Sequence, residues 1–141
     1  MGTISKNFSY SEFERSETAE KRGIVNVIAT ARVRDSIQAL VVNVLQPLRT
    51  ALGVEMPVNS GYRCPELNEA VGGVPTSQHM KGEAADIATP TPLLMARKAV
   101  EMGLPFDQMG IYPTFVHFSH KLGRTQRGEI FYSKDYKGEK V

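Results

Sequence analysis

The stretch Ser77-Gln78-His79-Met80-Lys81-Gly82-Glu83-Ala84-Ala85-Asp86 decides how the rest of the chain is read. It sets an imidazole and a carboxylate seven residues apart, and Gly82, Ala84 and Ala85 between them let the backbone close around whatever the two grip. A second imidazole, His117, follows thirty-one residues after Asp86. Two histidines and one carboxylate are the donor set of a catalytic zinc site, because three protein ligands leave the fourth position of the tetrahedron for water. The opposing reading makes each histidine an ordinary core or surface residue. Asp86 weighs against it, since it opens the apolar segment Asp86-Ile87-Ala88, where an unpaired carboxylate is costly to bury and a nearby cation removes the cost.

Downstream of this stretch, Thr91 and Pro92 open a helix that continues over Leu93 to Met102 and stops at Gly103, following the usual preference for proline first and glycine last. Phe106 to Tyr112 and Phe115 to Ser119 read as two strands separated at Pro113, and Glu129 to Ser133 as a third. Alternation along Phe115 to Ser119 puts Phe115, His117 and Ser119 on one face, with Val116 and Phe118 packing behind them. Residues Lys134 to Val141 read as a frayed polar tail.

Upstream, Val54 to Asn59 reads as a short strand that delivers Ser60-Gly61-Tyr62-Arg63 at its end. An arginine beside a metal site suits a carboxylate, because its planar fork makes paired charge-assisted hydrogen bonds; the alternative is an arginine that braces a loop. Pro65 to Val71 is expected to be a short helix closed by Gly72-Gly73. From Thr30, the residues Val33, Ile37, Leu40, Val41, Val44 and Leu48 recur at three and four, the period of one helix face, and mark the main core helix. Pro47 inside that pattern predicts a kink or break near Asn43 to Gln46, and Gly53 ends the segment. Ser9 and Ser11 each precede a glutamate by three, the capping-box spacing, ahead of a predicted helix from Glu12 to Arg22 docked by Phe8 and Phe13. The expected architecture is α+β, a small antiparallel sheet with helices packed to one side, in a single domain over residues 1–141 without repeats or linkers.

Composition sets bounds. With 41% hydrophobic and 23% charged residues in 141, the chain can bury one core. A formal charge of +2 falls short of a nucleic-acid signature, so no nucleic-acid partner is expected. Cys64 is alone, which excludes a disulfide framework, leaves any metal to His and carboxylate, and reads as a small buried side chain. Met1 to Asn7 lacks the apolar core of a secretory signal and no apolar run nears the roughly 18 residues a bilayer requires, so synthesis in the cytoplasm, no membrane insertion and a monomer are the expectations.

The pattern Ser77-x-His79-x-x-Gly82-x-Ala84-x-Asp86, preceded by Ser60-Gly61-Tyr62-Arg63 and followed by Phe115-Val116-His117, resembles the M15 family of zinc D-Ala-D-Ala peptidases, whose fold is shared with the hedgehog signalling domain. The entry Phe8-x-x-x-Glu12-Phe13-x-x-Ser16 is similar to the small phage-type members. The resemblance implies that His79, Asp86 and His117 hold zinc, that Arg63 binds a carboxylate or peptide group, and that Ser77 supports the substrate or the ligands around the metal. It implies peptidoglycan stem peptides as substrates, cleaved by an endopeptidase or carboxypeptidase in wall lysis or remodelling; with no secretory signal read in Met1 to Asn7, the expected routes to the wall are a phage or prophage lysis enzyme released by a membrane breach or a phage-particle component carried from outside.

The sequence departs from the Glu-x-x-His pattern of several branches, because the position three before His117 is Thr114, which cannot act as a base. Asp107 is the first candidate for the general base and His120 the second, although alternation turns His120 to the opposite face unless the chain bends after Ser119. Glu83 is read as solvent-facing. The missing base keeps open a module that retains fold and metal but only binds wall peptides. The basic C-terminal residues Lys121, Arg124, Arg127, Lys134, Lys137 and Lys140 read as a solvated tail, or as a weak hold on anionic wall.

Overall fold

The helical run over residues 31–52 is the element against which the sheet is laid. The structure is a computed structural model describing residues 2–141. Helix α3 (Ala31–Leu40) starts where the Thr30 hydroxyl accepts the Val33 amide at 3.2 Å. Ile37, Leu40, Val41, Val44 and Leu48 are fully buried as their period predicts, and Leu45 joins them. Each contributes roughly 1.5–3 kcal/mol through removal of its apolar surface from water, which makes this run the main source of the core.

Pro47 does not break the helix. A π turn over Val41–Leu45 separates α3 from α4 (Gln46–Leu52), and the Gln46 amide donates to the Val41 carbonyl, five residues back. The wider turn moves the carbonyls away from the proline ring and lets Pro47 occupy the first turn of α4, where its missing amide costs nothing.

Strands β3 (Val58–Ser60), β4 (Ala84–Ala88), β5 (Gln108–Ile111), β6 (Phe115–Ser119) and β7 (Glu129–Tyr132) form one sheet in the order β3-β4-β6-β5-β7, with β1 and β2 described below. All neighbours are antiparallel except β5 and β7, which run parallel with Gly110 opposite Phe131. After β6 the chain crosses to the far side of β5, and that longer path permits parallel pairing at this edge. The fold class is the α+β expected, with a mostly antiparallel sheet. Ala85 and Ile87 of β4 and Val116 and Phe118 of β6 are fully buried on the helix side, where α6 (Pro92–Glu101) adds Met95, Ala96 and Ala99. By alternation, Asp86 and His117 stand on the other face.

The N-terminal segment differs from its sequence reading. A small ribbon of β1 (Thr3–Ser5) and β2 (Phe8–Ser9) precedes two short helices, α1 (Tyr10–Glu14) and α2 (Glu17–Arg22), instead of one helix over residues 12–22. The break falls at Ser16, whose hydroxyl accepts the Ala19 amide and starts a new helix. Phe8 and Phe13 are buried as expected. Strand β3 is shorter than the Val54 to Asn59 run, and Pro65–Ala70 forms α5. Cys64 is half-buried against the core.

The residues after 133 are polar and irregular but not frayed. Tyr136 stacks on Tyr132 at 5.8 Å, the Val141 amide donates to the Tyr132 hydroxyl, and Arg97 of α6 donates to the Lys140 carbonyl. Among the described residues, no helix is long and apolar enough to cross a membrane.

Candidate metal centre

Asp86 and His117 are directly opposite each other on β4 and β6, so sheet register alone brings their side chains together. The His117 Nδ1–H donates to Asp86 Oδ1 at 2.8 Å. His79 comes from a 3-10 turn (Gln78–Lys81) begun by Ser77, whose hydroxyl accepts the His79 amide at 3.2 Å. Its Nδ1 lies 2.8 Å from the Gly61 carbonyl, and a carbonyl can only accept, so Nδ1 carries the hydrogen. This leaves Nε2 with its lone pair 3.5 Å from Asp86 Oδ1. Backbone-fixed tautomers of this kind orient metal-binding histidines.

Ligand atoms of His79, Asp86 and His117 lie within 4.8 Å of one another, the one such group of three or more His, Cys, Asp or Glu donors among the described residues. The donor set fits a divalent cation with two imidazoles and a carboxylate, with the coordination sphere left incomplete. Burial alone would raise the pKa of Asp86, but the hydrogen bond from His117, foremost among the opposing effects, outweighs it and holds the carboxyl well below its usual range. Asp86 is thus an anion, as a ligand must be.

The segment carrying Arg63 is pinned to the turn carrying His79. The Arg63 amide donates to the His79 carbonyl at 3.1 Å while His79 Nδ1 donates to Gly61, a reciprocal pair. Behind it, the Tyr62 amide donates to the Phe13 carbonyl, and Asn26 donates to the Tyr62 carbonyl while accepting the Cys64 amide. Arg63 braces its own loop and faces the cluster. Its Nε and Nη1 donate to Ser60 Oγ and Asn68 Oδ1, each at 3.2 Å, and its Nη2 faces Asp86 Oδ2 at 3.9 Å.

A cleft of about 310 Å³ opens at His117, lined also by Val74, Thr76, Ser77, Gln78, Gln108 and Arg127. A larger concavity of about 640 Å³, between Val54–Pro57 and Ala88–Thr91, holds none of His79, Asp86 and His117.

Neither candidate base is poised there as the sequence suggested. Asp107 is completely enclosed, and Arg127 donates to both its oxygens, with Nη2 to Oδ2 at 2.7 Å and Nε to Oδ1 at 3.1 Å. The Arg127 amide and Gln78 Nε2 add further donors to the same carboxylate. Burial opposes ionisation, yet these donors, Arg127 foremost, hold Asp107 well below the usual carboxylate range, where it is a poor proton acceptor. His120 donates through Nδ1 to the Pro105 carbonyl and meets Asn43 of the π turn, which puts it on the helix side of the sheet. Thr114 is exposed. Glu83, read as solvent-facing, is 4% exposed and accepts from Gln78 Nε2, because its backbone pairs with both Gln78 and His120 and holds it inside.

Asp107 acts as a clamp on residues 120–128, the segment that places Arg127 in the cleft wall. Asp107→Asn is therefore expected to lower the melting temperature by roughly 5 °C or more at neutral pH. Because the folded pKa is depressed, the carboxylate's contribution is complete above its ordinary pKa of about 3.9 and disappears as pH falls through the folded value. The difference between wild type and variant should accordingly shrink below about pH 4, and thermal melts from pH 3 to 7 check it. A constant difference would assign the clamp to shape instead of charge.

Arg127, Gln108 and Gln78 were not legible as site residues. Arg127 read as one of several basic tail residues, since only the parallel pairing of β7 with β5 places it over Asp107.

Comparison with known proteins agrees with this geometry. The zinc D-Ala-D-Ala carboxypeptidase of Streptomyces albus G is 41% identical over 82 residues, which are 57% of this chain and 31% of that protein. The chain thus spans about a third of the length of that relative. The sequence profile of the peptidase M15 family matches residues 6–120, a span that contains the Arg63 loop, both strands of ligands and the His79 turn, and the chain belongs to that family.

Proposed function

We propose that this chain is a zinc-dependent peptidase that hydrolyses amide bonds of the peptidoglycan stem peptide, at or beside a D-amino acid. The convergence of His79, Asp86 and His117 within 4.8 Å beside an open cleft carries the reading. The two-nitrogen, one-oxygen donor set and the zinc in the name of the Streptomyces relative support zinc as the ion. Zinc bound there would polarise the scissile carbonyl and make a water nucleophilic near neutral pH.

The chain's own groups supply binding and orientation. Arg63 keeps Nη2 free of its brace and offers it to a carboxylate of the peptide. Ser77 lines the cleft and fixes the His79 turn. His79 Nδ1 keeps its proton on the Gly61 carbonyl, so Nε2 is the atom offered to the metal. The single domain acts as a monomer in this reading.

A second reading, a zinc-containing module that binds wall peptides without cleaving them, is favoured by one observation. No candidate base is in place: Thr114 is no base, Asp107 is clamped by Arg127, and His120 is on the other side of the sheet. Mass spectrometry of material released from purified peptidoglycan separates the two. The zinc-loaded protein should release peptides with new termini, and the same protein stripped by a chelator should release none until zinc is restored. Stoichiometric zinc with peptide binding but no release from several wall chemistries would establish the binding module.

A further inference from the structure

Tyr112 stands on the face of the sheet that carries the metal ligands. It follows β5, and its amide donates to the Phe115 carbonyl at 3.0 Å across the hairpin. Its ring stacks on Phe115 with centroids 4.2 Å apart and planes at 12°, and Phe115 shares its face of β6 with His117. Phe131 meets the Tyr112 ring edge-on at 6.2 Å and the His117 ring at 6.0 Å. That contact depends on Gly110, where a Cβ would lie 2.3 Å from Phe131 Cζ. Tyr112 is therefore held by aromatic packing on two sides, in a fixed relation to His117.

Its hydroxyl is uncommitted. Among the described residues it has no hydrogen-bond partner, yet it is not a sealed, unsatisfied atom, so it opens to solvent. Asp86 and Arg63 are the charged groups whose fields reach it. Burial first, and then the Asp86 carboxylate, raise the Tyr112 pKa against the opposing effect of Arg63, so the phenol keeps its proton at neutral pH. Near the ligands, this gives a protonated donor on a rigid ring, whereas Arg63 has two of its three nitrogens occupied.

We infer that Tyr112 is a catalytic residue, whose phenolic O–H donates a hydrogen bond to the carbonyl oxygen of the scissile amide as negative charge develops there. This rests on the peptidase reading above. In the step, the oxygen of water bonds to the carbonyl carbon and the π electron pair moves onto the carbonyl oxygen, which accepts the Tyr112 hydrogen bond. The pair on that oxygen then re-forms the C=O π bond as the C–N bond breaks, the C–N electron pair leaves with the nitrogen, and the proton lost by water ends on the amine, giving a carboxylic acid and an amine. Tyr112 keeps its own proton throughout, so no base is asked of it. Donors aimed at a developing oxyanion are among the larger contributors to acyl-transfer catalysis.

Tyr112→Phe retains the ring and its stacking and removes only the donor. The measurements are kcat and KM on the wall peptide that wild type cleaves, calorimetric affinity for a phosphinate analogue of D-alanyl-D-alanine, zinc stoichiometry and melting temperature. We expect kcat to fall roughly 100-fold with KM within about twofold, and phosphinate affinity to fall with kcat while zinc content and melting temperature hold. An unchanged kcat, or a loss confined to KM, would overturn the assignment and leave the peptidase reading intact. A wild type that holds zinc but neither cleaves wall peptides nor binds the tetrahedral phosphinate more tightly than D-alanyl-D-alanine would overturn both.

Discussion

His79→Ala should cost this protein its metal and its chemistry while leaving the fold in place. His79 is the ligand supplied from outside the sheet, and nothing else among the described residues presents a nitrogen at that position. Loss of a partner that merely orients a metal-binding histidine costs 10–100-fold in affinity, so removal of a ligand itself should weaken zinc binding by more than about 100-fold. Activity on wall peptides should fall at least about 100-fold, since the several kcal/mol of transition-state stabilisation supplied by the ion leave with it. Asp86 keeps its hydrogen bond from His117 at 2.8 Å, so the carboxylate is not abandoned, while loss of the His79 bond to the Gly61 carbonyl should lower the melting temperature by a few degrees relative to metal-free wild type without unfolding the chain. Zinc titration and peptide turnover, measured side by side, check this. A variant that binds zinc with native affinity and turns over at the native rate would remove His79 from the ligand set.

Gly82→Ala should have the largest effect on stability of any single methyl added to the motif. Gly82 has φ of 74°, a conformation costing an L-residue roughly 1–2 kcal/mol. An added Cβ would also lie 2.6 Å from the Val33 carbonyl oxygen, within helix α3, which cannot give way as a flexible side chain could. Overpacking of that kind costs typically 1–3 kcal/mol, so the sum is about 2–5 kcal/mol out of a total near 5–15. Gly53 provides the control, with φ of 66° and open space around the added carbon. Urea unfolding should show Gly82→Ala well below Gly53→Ala, and zinc affinity should fall with it because Gly82 sets the path from His79 to Asp86. Equal losses at the two positions would mean that backbone conformation alone accounts for the glycine.

Much of this was readable before any coordinates. The helix period from Val33 to Leu48 marks its buried face because burial depends on position around a helix, a local property. The cluster of His79, Asp86 and His117 was readable because two of them lie on strands whose alternation is visible and the third sits in a motif of fixed spacing. What could not be read depends on pairing between distant segments. Nothing local says that Glu129–Tyr132 runs parallel to β5, and that one fact turns Asp107 from a candidate base into the anchor of Arg127. Glu83 looked exposed because its neighbours are polar, whereas two backbone bonds, to Gln78 and His120, fix it inside. The π turn was foreshadowed by Pro47 as a disturbance, but a proline does not say whether a helix breaks or widens. The stacking of Tyr112 on Phe115 and its edge contact with Phe131 were not readable, because they come from strands that meet only in the folded sheet.

The position of the two central strands has a further consequence, for exchange kinetics. Strands β4 and β6 are each hydrogen-bonded on both edges, so the amides flanking Asp86 and His117 are released only by openings that take apart the middle of the sheet. The His79 turn lies outside the sheet and is held instead by bonds to Gly61, Arg63, Ser77, Glu83 and Asp107. Openings that release the turn are therefore expected to leave Asp86 and His117 paired on the sheet. Amide exchange should accordingly be slower at Asp86 and His117 than at His79 and Met80.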